Sequence, residues 1–154
     1  MSIITSGAVT FSFPVRVYYE DTDAAGVVYY ANYLKFFERA RTEWLRQLGI
    51  EQNRLAATQG VVFVVRSANI QYRAPARLDD QLTIQSQITR LGRASLEFEQ
   101  SCLRDDALLA MGHIQIGCVA ADSLRPVAIP DDIRQHFQGV SAIPVAPLAG
   151  ATAR

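Results

Sequence analysis

An α+β fold, with one antiparallel sheet wrapped around a long central helix, follows from three features of the 154-residue sequence. One long helical stripe lies in the first third of the chain, four strand-like segments come after it, and short polar turns separate the last three of those segments. A single domain over 1–138 is expected, because the length leaves no room for two cores of ordinary size. At this length roughly 70% of the unfolded surface can be buried. The apolar share of 49% against 19% charged excludes a disordered or fibrous chain.

The first element is a strand. Phe13, Val15, Val17 and Tyr19 alternate with Pro14, Arg16 and Tyr18, a period of two. Glu20–Gly26 then crowds three carboxylates and a glycine together, which reads as a turn. From Asn32 the spacing becomes helical: Leu34, Phe37, Arg41, Trp44, Leu45 and Leu48 fall three or four apart, with Asn32 placed to cap the start and Gly49 to end it. So aromatic a stripe predicts a helix buried against a sheet. Glu51–Gln59 reads as a short second helix before Gly60.

Strands are expected over Val61–Arg73, Gln81–Leu91, Ala94–Leu103 and Leu108–Ala121. In the third of these, Leu96, Phe98, Gln100 and Cys102 share one face. The turns at Gly92-Arg93 and Arg104-Asp105-Asp106 predict that consecutive strands pair as antiparallel hairpins. Pro130-Asp131-Asp132 can open a last short helix, its acids at the positive end of the dipole. The Ala-, Pro- and Gly-rich stretch 139–154 is expected to be a flexible tail. One helix leaves much of the outer sheet face uncovered, and a homo-oligomer is the expected remedy.

Fifteen basic side chains cancel fifteen acidic ones, so no net field draws the protein to nucleic acid or anionic lipid. No apolar run approaches the ~20 residues of a membrane helix, and the N-terminal stretch lacks a basic segment leading into an apolar one. A soluble, cytoplasmic protein is expected. Cys102 and Cys118 read as two buried thiols of a reducing compartment, without a disulfide framework or a zinc cluster.

Most catalytic patterns are missing: no Gly-x-Ser-x-Gly elbow, phosphate-cradling loop, dinucleotide fingerprint or paired-histidine metal motif. His113, inside a strand, and His136, near the end, read as structural. Attention falls on Tyr18–Tyr33, where an acidic cluster precedes a glycine and an aromatic helix. Glu20 and Asp21 suit a solvated turn that complements the helix dipole. Asp23 precedes an apolar and aromatic run, so a partly dry pocket is expected around its carboxylate, which could act there as base or nucleophile. The N–H groups at the helix start are natural donors to a developing oxyanion. Asp21-Thr22-Asp23 also suits a magnesium-dependent phosphatase. That reading needs a downstream lysine, whereas Lys35 is the sole lysine, and it needs helices between strands, which 61–121 lacks.

The segment Val15–Leu48, with Thr22-Asp23-x-x-Gly26-Val27-Val28 at its centre, closely resembles the 4-hydroxybenzoyl-CoA thioesterase family, nearest its YbgC branch associated with the Tol-Pal system. The similarity continues through Phe63-Val64-Val65-Arg66 and Ala74–Asp80. The resemblance implies the hotdog fold and dimers, often paired into tetramers, with active sites at subunit interfaces. It makes Asp23 the catalytic carboxylate and Gly26 to Tyr30 the turn whose N–H groups polarise the thioester carbonyl. Tyr30 departs from the histidine usual in the YbgC branch and matches the tyrosine of the hydroxybenzoyl branch, where the backbone N–H does the work. Phe63 and Val64 match a strand lining the acyl pocket, and serve equally as plain core. Arg90, Arg93 and Ser95 match a turn touching the CoA nucleotide, with Gly92 and Ala94 standing where the hydroxybenzoyl branch is more basic.

The implied activity is hydrolysis of a small or medium acyl, or aroyl, thioester of CoA or acyl-carrier protein to the free acid and thiol. No cofactor or metal is expected, because a thioester is already activated and positioning, one carboxylate and a few dipoles suffice. A non-catalytic acyl-CoA or acyl-carrier-protein binding partner in envelope lipid metabolism is the alternative from another class.

Overall fold

The long aromatic stripe forms helix α1, Asn32–Gln47, in a computed structural model that describes residues 9–141. Around it lie β1 (Phe11–Arg16), a 3-10 turn (Tyr19–Asp21), α2 (Gln52–Gln59), β2 (Val61–Tyr72), β3 (Gln81–Leu91), β4 (Ser95–Arg104), β5 (Ala107–Ala120) and α3 (Asp131–Val140). The strands make one antiparallel sheet in the order β1-β3-β4-β5-β2. This is the expected α+β arrangement, and the hotdog shape implied by the resemblance.

Side chains of α1 reach across the sheet. Trp44 stacks on Phe11 of β1 with centroids 5.6 Å apart and meets the edge of Phe98 of β4 at 6.0 Å. Tyr33 packs edge-on to Tyr72 of β2 at 5.4 Å. Phe37 lies so close to β5 that a Cβ at Gly112 would fall 2.8 Å from its ring, which is why that position carries no side chain. Truncating a ring as buried as Trp44 to alanine typically costs about 3–5 kcal/mol, so these contacts fix where α1 sits.

The local readings need several corrections. Asn32 does not cap α1: the helix starts at Asn32 after Ala31, and the Asn32 amide donates instead to the carbonyl of Asp21 at 2.8 Å. Leu34 is 42% exposed, because Tyr33 takes the core position and one residue along a helix turns the side chain by about 100°. β1 ends at Arg16, since Val17 bonds Asp79 and Asp80 instead of β3, and Tyr19 swings out into the 3-10 turn. The hairpins β3–β4 and β4–β5 form as expected, but β2 pairs with β5 and not with its successor β3. Residues 73–80 carry the chain between them.

Other expectations hold. Leu96, Phe98, Gln100 and Cys102 are all buried on one face of β4, and Gly49 follows the last turn of α1. The thiols of Cys102 and Cys118 are free and buried, and burial pushes the Cys102 thiol up to about 12. Of the expected tail 139–154, Gly139 and Val140 complete α3 and Ser141 is buried, while 142–154 lies outside the described residues.

The outer sheet face gives a different reason for association than the sequence did. It presents Gln85, Gln87, Glu97, Glu99 and His113, polar enough to face water. Exposed apolar side chains gather elsewhere: Val64 and Val65 on β2, and Tyr18, Tyr19, Tyr29, Tyr30, Leu34 and Tyr72 around the acidic turn and the start of α1. β2 is also an edge strand of twelve residues with one side unpaired.

Candidate active site

The acidic turn is a small hairpin closed by a bridge between Thr22 and Val28. Asp23 donates its N–H to Val27 at 2.9 Å, and Gly26 donates to the carbonyl of Asp23 at 3.0 Å. Gly26 has φ +81°, a left-handed conformation that a side chain would strain. The hairpin is anchored on both sides. Val28 donates to Ala76 and Val27 bridges Arg77, which ties it to the 73–80 crossover. Asp21, 6% exposed, accepts the Tyr18 N–H on Oδ2 at 2.8 Å, while its carbonyl takes the Tyr29 N–H and the Asn32 amide. So Asp21 is a structural anchor, and not the solvated acid the sequence suggested.

Asp23 is exposed in the single chain, contrary to the partly dry pocket expected around it. Its Oδ1 accepts the Ala25 N–H at 2.9 Å, while Oδ2 has no partner among the described residues. The chain then enters α1 through a turn in which Asn32 donates to Tyr29, leaving the Tyr30 N–H without a backbone acceptor among the described residues. Tyr30 is 62% exposed, and its carbonyl accepts the Tyr72 hydroxyl at 2.9 Å. Beside it, Val28, Tyr30, Tyr33, Tyr72 and Arg73–Pro75 line an open hollow of about 290 Å³. Burial raises the phenols of Tyr33 and Tyr72 above their ordinary value, so both are neutral at any pH near neutrality.

The other expected residues fall into two further hollows. Phe63 lines a partly open cavity of about 120 Å³ with Leu45, Val65, Leu96, Phe98, Ile116 and Phe137, and with Glu38, Arg41, Thr42 and Gln52 as its polar members. Val64, next along β2, points to the opposite face by strand alternation and is exposed. Arg90 and Arg93 flank an outer groove of about 1240 Å³, together with Gly92, His113 and Arg134. Ser95 opens β4 just after the Gly92-Arg93 turn, and its carbonyl accepts the Gly92 N–H at 2.7 Å. His113 and His136 are both exposed, so neither is a core residue.

Two functional candidates escaped the sequence. Arg134 of α3 donates to the carbonyls of Gly92 at 2.6 Å and Arg93 at 2.9 Å, pinning the arginine-bearing turn. Nothing in the spacing connects residues so far apart in the chain. Arg41 was visible only as a charged residue on an otherwise apolar stripe, and the structure buries it at 8% exposure against the 120 Å³ cavity. The antiparallel order removes the phosphatase alternative, which needs a parallel sheet with helices between strands. No helix among the described residues is long and apolar enough to cross a membrane. Nor do any three or more His, Cys, Asp and Glu side chains among them form a cluster that could hold a metal ion.

Comparison with known proteins adds a lineage to this geometry. Residues 17–137 match the family model described as the thioesterase-like superfamily. The acyl-CoA thioesterase YbgC of Haemophilus influenzae is 46% identical over 127 residues, which cover 82% of this chain and 93% of that protein. The acyl-CoA thioester hydrolase YbgC of Escherichia coli is 47% identical, covering 83% and 96%. Among solved structures, a probable thioesterase from Bartonella henselae superposes with a TM-score of 0.76 at 38% identity, covering 79% of this chain and all of that one.

Proposed function

Because the chain belongs to the thioesterase-like superfamily as a YbgC-like thioester hydrolase, we propose that it cleaves a small or medium acyl-CoA, or an aroyl-CoA, to the free acid and CoA, with Asp23 as the working carboxylate. The observation that carries this reading is the anchored hairpin that holds Asp23, seven residues before Tyr30, with neither Asp23 Oδ2 nor the Tyr30 N–H bonded among the described residues.

The chemistry needs little else. The Tyr30 N–H donates to the thioester oxygen as negative charge gathers there, a task for a fixed dipole that needs no reorganisation. Oδ2 of Asp23 then acts in one of two ways. As base, it takes a proton from water while the water oxygen attacks the carbonyl carbon, and the C–S bond breaks to release CoA thiolate. As nucleophile, it attacks the carbon itself, expels the thiolate and leaves a mixed anhydride that water opens. In both routes the products are the acid and the thiol. The outer groove sets Arg90, Arg93 and Arg134 against Glu97, Glu99 and Asp131, so it is the arginines of the Gly92-Arg93 turn, and not the groove as a whole, that suit the CoA phosphates.

An exposed Asp23 does not exclude water by itself, and a second copy supplies the missing wall. The unpaired edge of β2 and the exposed tyrosines near Asp23 are where that copy docks, joining two sheets edge to edge. The test of the activity is thiol release across aliphatic and aromatic acyl-CoAs. Turnover of at least one is expected, and a purified, folded protein that releases no thiol from any of them would overturn the reading.

A further inference from the structure

A guanidinium buried against an apolar cavity needs a reason. Arg41 lies on the face of α1 that packs on the sheet, and among the described residues only its Nη1 has a partner, the Oε1 of Gln100 at 2.9 Å. Gln100 is held in that orientation from its other end, because its amide donates to the Phe37 carbonyl at 3.0 Å and to Ser86 Oγ at 2.9 Å. The ion pairs among the described residues are Arg46–Glu43 and Arg104–Asp80, so Arg41 has no carboxylate of its own. Glu38, one turn earlier, lines the same cavity at its exposed side, where it accepts the Thr42 hydroxyl at 2.8 Å and forms no ion pair with Arg41. No buried polar side-chain atom among the described residues lacks a hydrogen bond, so the remaining N–H groups of Arg41 open onto the cavity and are not sealed in the core.

We propose that Arg41 forms the polar end of the acyl cavity and selects acyl groups whose distal end carries a hydrogen-bond-accepting oxygen, a hydroxyl or a carboxylate. The inference rests on the thioesterase reading and adds the substrate class to it; since Arg41 lies eleven residues, about 16 Å, along α1 from Tyr30, it also rests on the second copy bringing its cavity to the Asp23 of this one. The cavity has the makeup of a ligand site, mostly aromatic and aliphatic with a few convergent polar groups. Its volume of about 120 Å³ is close to the ~150 Å³ that admits a benzene ring, so the end of an acyl chain fits and a long unbranched tail does not fold up inside it. An oxygen there replaces water on a cation already stripped of most of its hydration, while a terminal methyl leaves the N–H groups facing hydrocarbon. Burial draws the guanidinium down to about 10, partly offset by Glu38, and still leaves it charged at neutral pH.

The test compares matched acyl-CoAs from butyryl to decanoyl, each with its terminal hydroxy and terminal carboxy counterpart, by kcat/KM on wild type, Arg41→Met and Arg41→Lys. Wild type should favour an oxygen-bearing member of some pair by at least about tenfold, and Arg41→Met should collapse that ratio by a similar factor. Arg41→Lys, which keeps the charge, should retain part of it. If wild type hydrolyses plain acyl-CoAs without preferring any oxygenated partner, the role of Arg41 is overturned and the thioesterase reading stands. That role is equally overturned if Arg41→Met keeps the full preference. If no acyl-CoA is turned over, both fall. The wild-type ratio decides even if the methionine variant does not fold.

Discussion

Replacing Gln100 with leucine removes the one hydrogen bond that holds the buried Arg41 guanidinium, and two more to Ser86 and the Phe37 carbonyl. Breaking a buried charged contact from one side typically costs about 3–5 kcal/mol, because the charge stays behind without its partner. The other N–H groups of Arg41 open onto a cavity with room for roughly four waters, which can hydrate them, so the lower end applies. About 3 kcal/mol in a protein of this size corresponds to a fall in Tm of roughly 6–12 °C. The double variant Arg41→Met, Gln100→Leu leaves no charge at this site and only the buried Ser86 hydroxyl without its partner, and replacing buried charged and polar groups by apolar ones of similar volume is often close to neutral. It should therefore recover most of the loss. The assay is thermal and urea unfolding followed by circular dichroism on wild type, both single variants and the double. A fall of under about 2 °C for Gln100→Leu, or a double variant that loses the sum of the singles, would refute the network as the support of Arg41.

Three further outcomes follow. Tyr30→Phe should change kcat less than about tenfold, some 1.4 kcal/mol, because the proposed donor is the backbone N–H and the ring is exposed; steady-state kinetics on the best substrate decides. Arg134→Ala should raise KM for acyl-CoA several-fold with a smaller effect on kcat, since its two bonds pin the Gly92-Arg93 turn and touch nothing near Asp23; an unchanged KM would exclude that positioning role. Light scattering at micromolar concentration should show at least a dimer, and a 17.0 kDa species would exclude a site completed by a second copy.

Much of the fold was legible because the signals are local. β3 occupies Gln81–Leu91 as its sequence pattern indicates, and the turns after Leu91 and Arg104 made two hairpins that need nothing beyond adjacent residues. The partner of β2 was not legible, because its pairing with β5 is chosen by how the sheet closes over α1 and not by the turn between neighbours. Leu34 shows a finer limit: two adjacent apolar residues both satisfy a helical spacing, and only packing decides that Tyr33 goes in. In the site, the sequence marked Asp23 and the start of α1 but misjudged the surroundings. The dryness expected around Asp23 is not a property of one chain, and the buried acid proved to be Asp21, fixed by Tyr18, Tyr29 and Asn32. Arg134 stayed hidden because it acts through backbone carbonyls, which carry no sequence signature.

The central claim is that Asp23 does the chemistry, and Asp23→Asn tests it most directly. Asparagine keeps an oxygen that can accept the Ala25 N–H, so the hairpin and the thermal stability should be preserved, and acyl-CoA binding should change little. The carboxylate that attacks carbon or takes the proton is gone. The kcat for thiol release from the best acyl-CoA is expected to fall by about 10²–10⁴-fold. A folded Asp23→Asn protein that keeps most of the wild-type kcat would contradict the account.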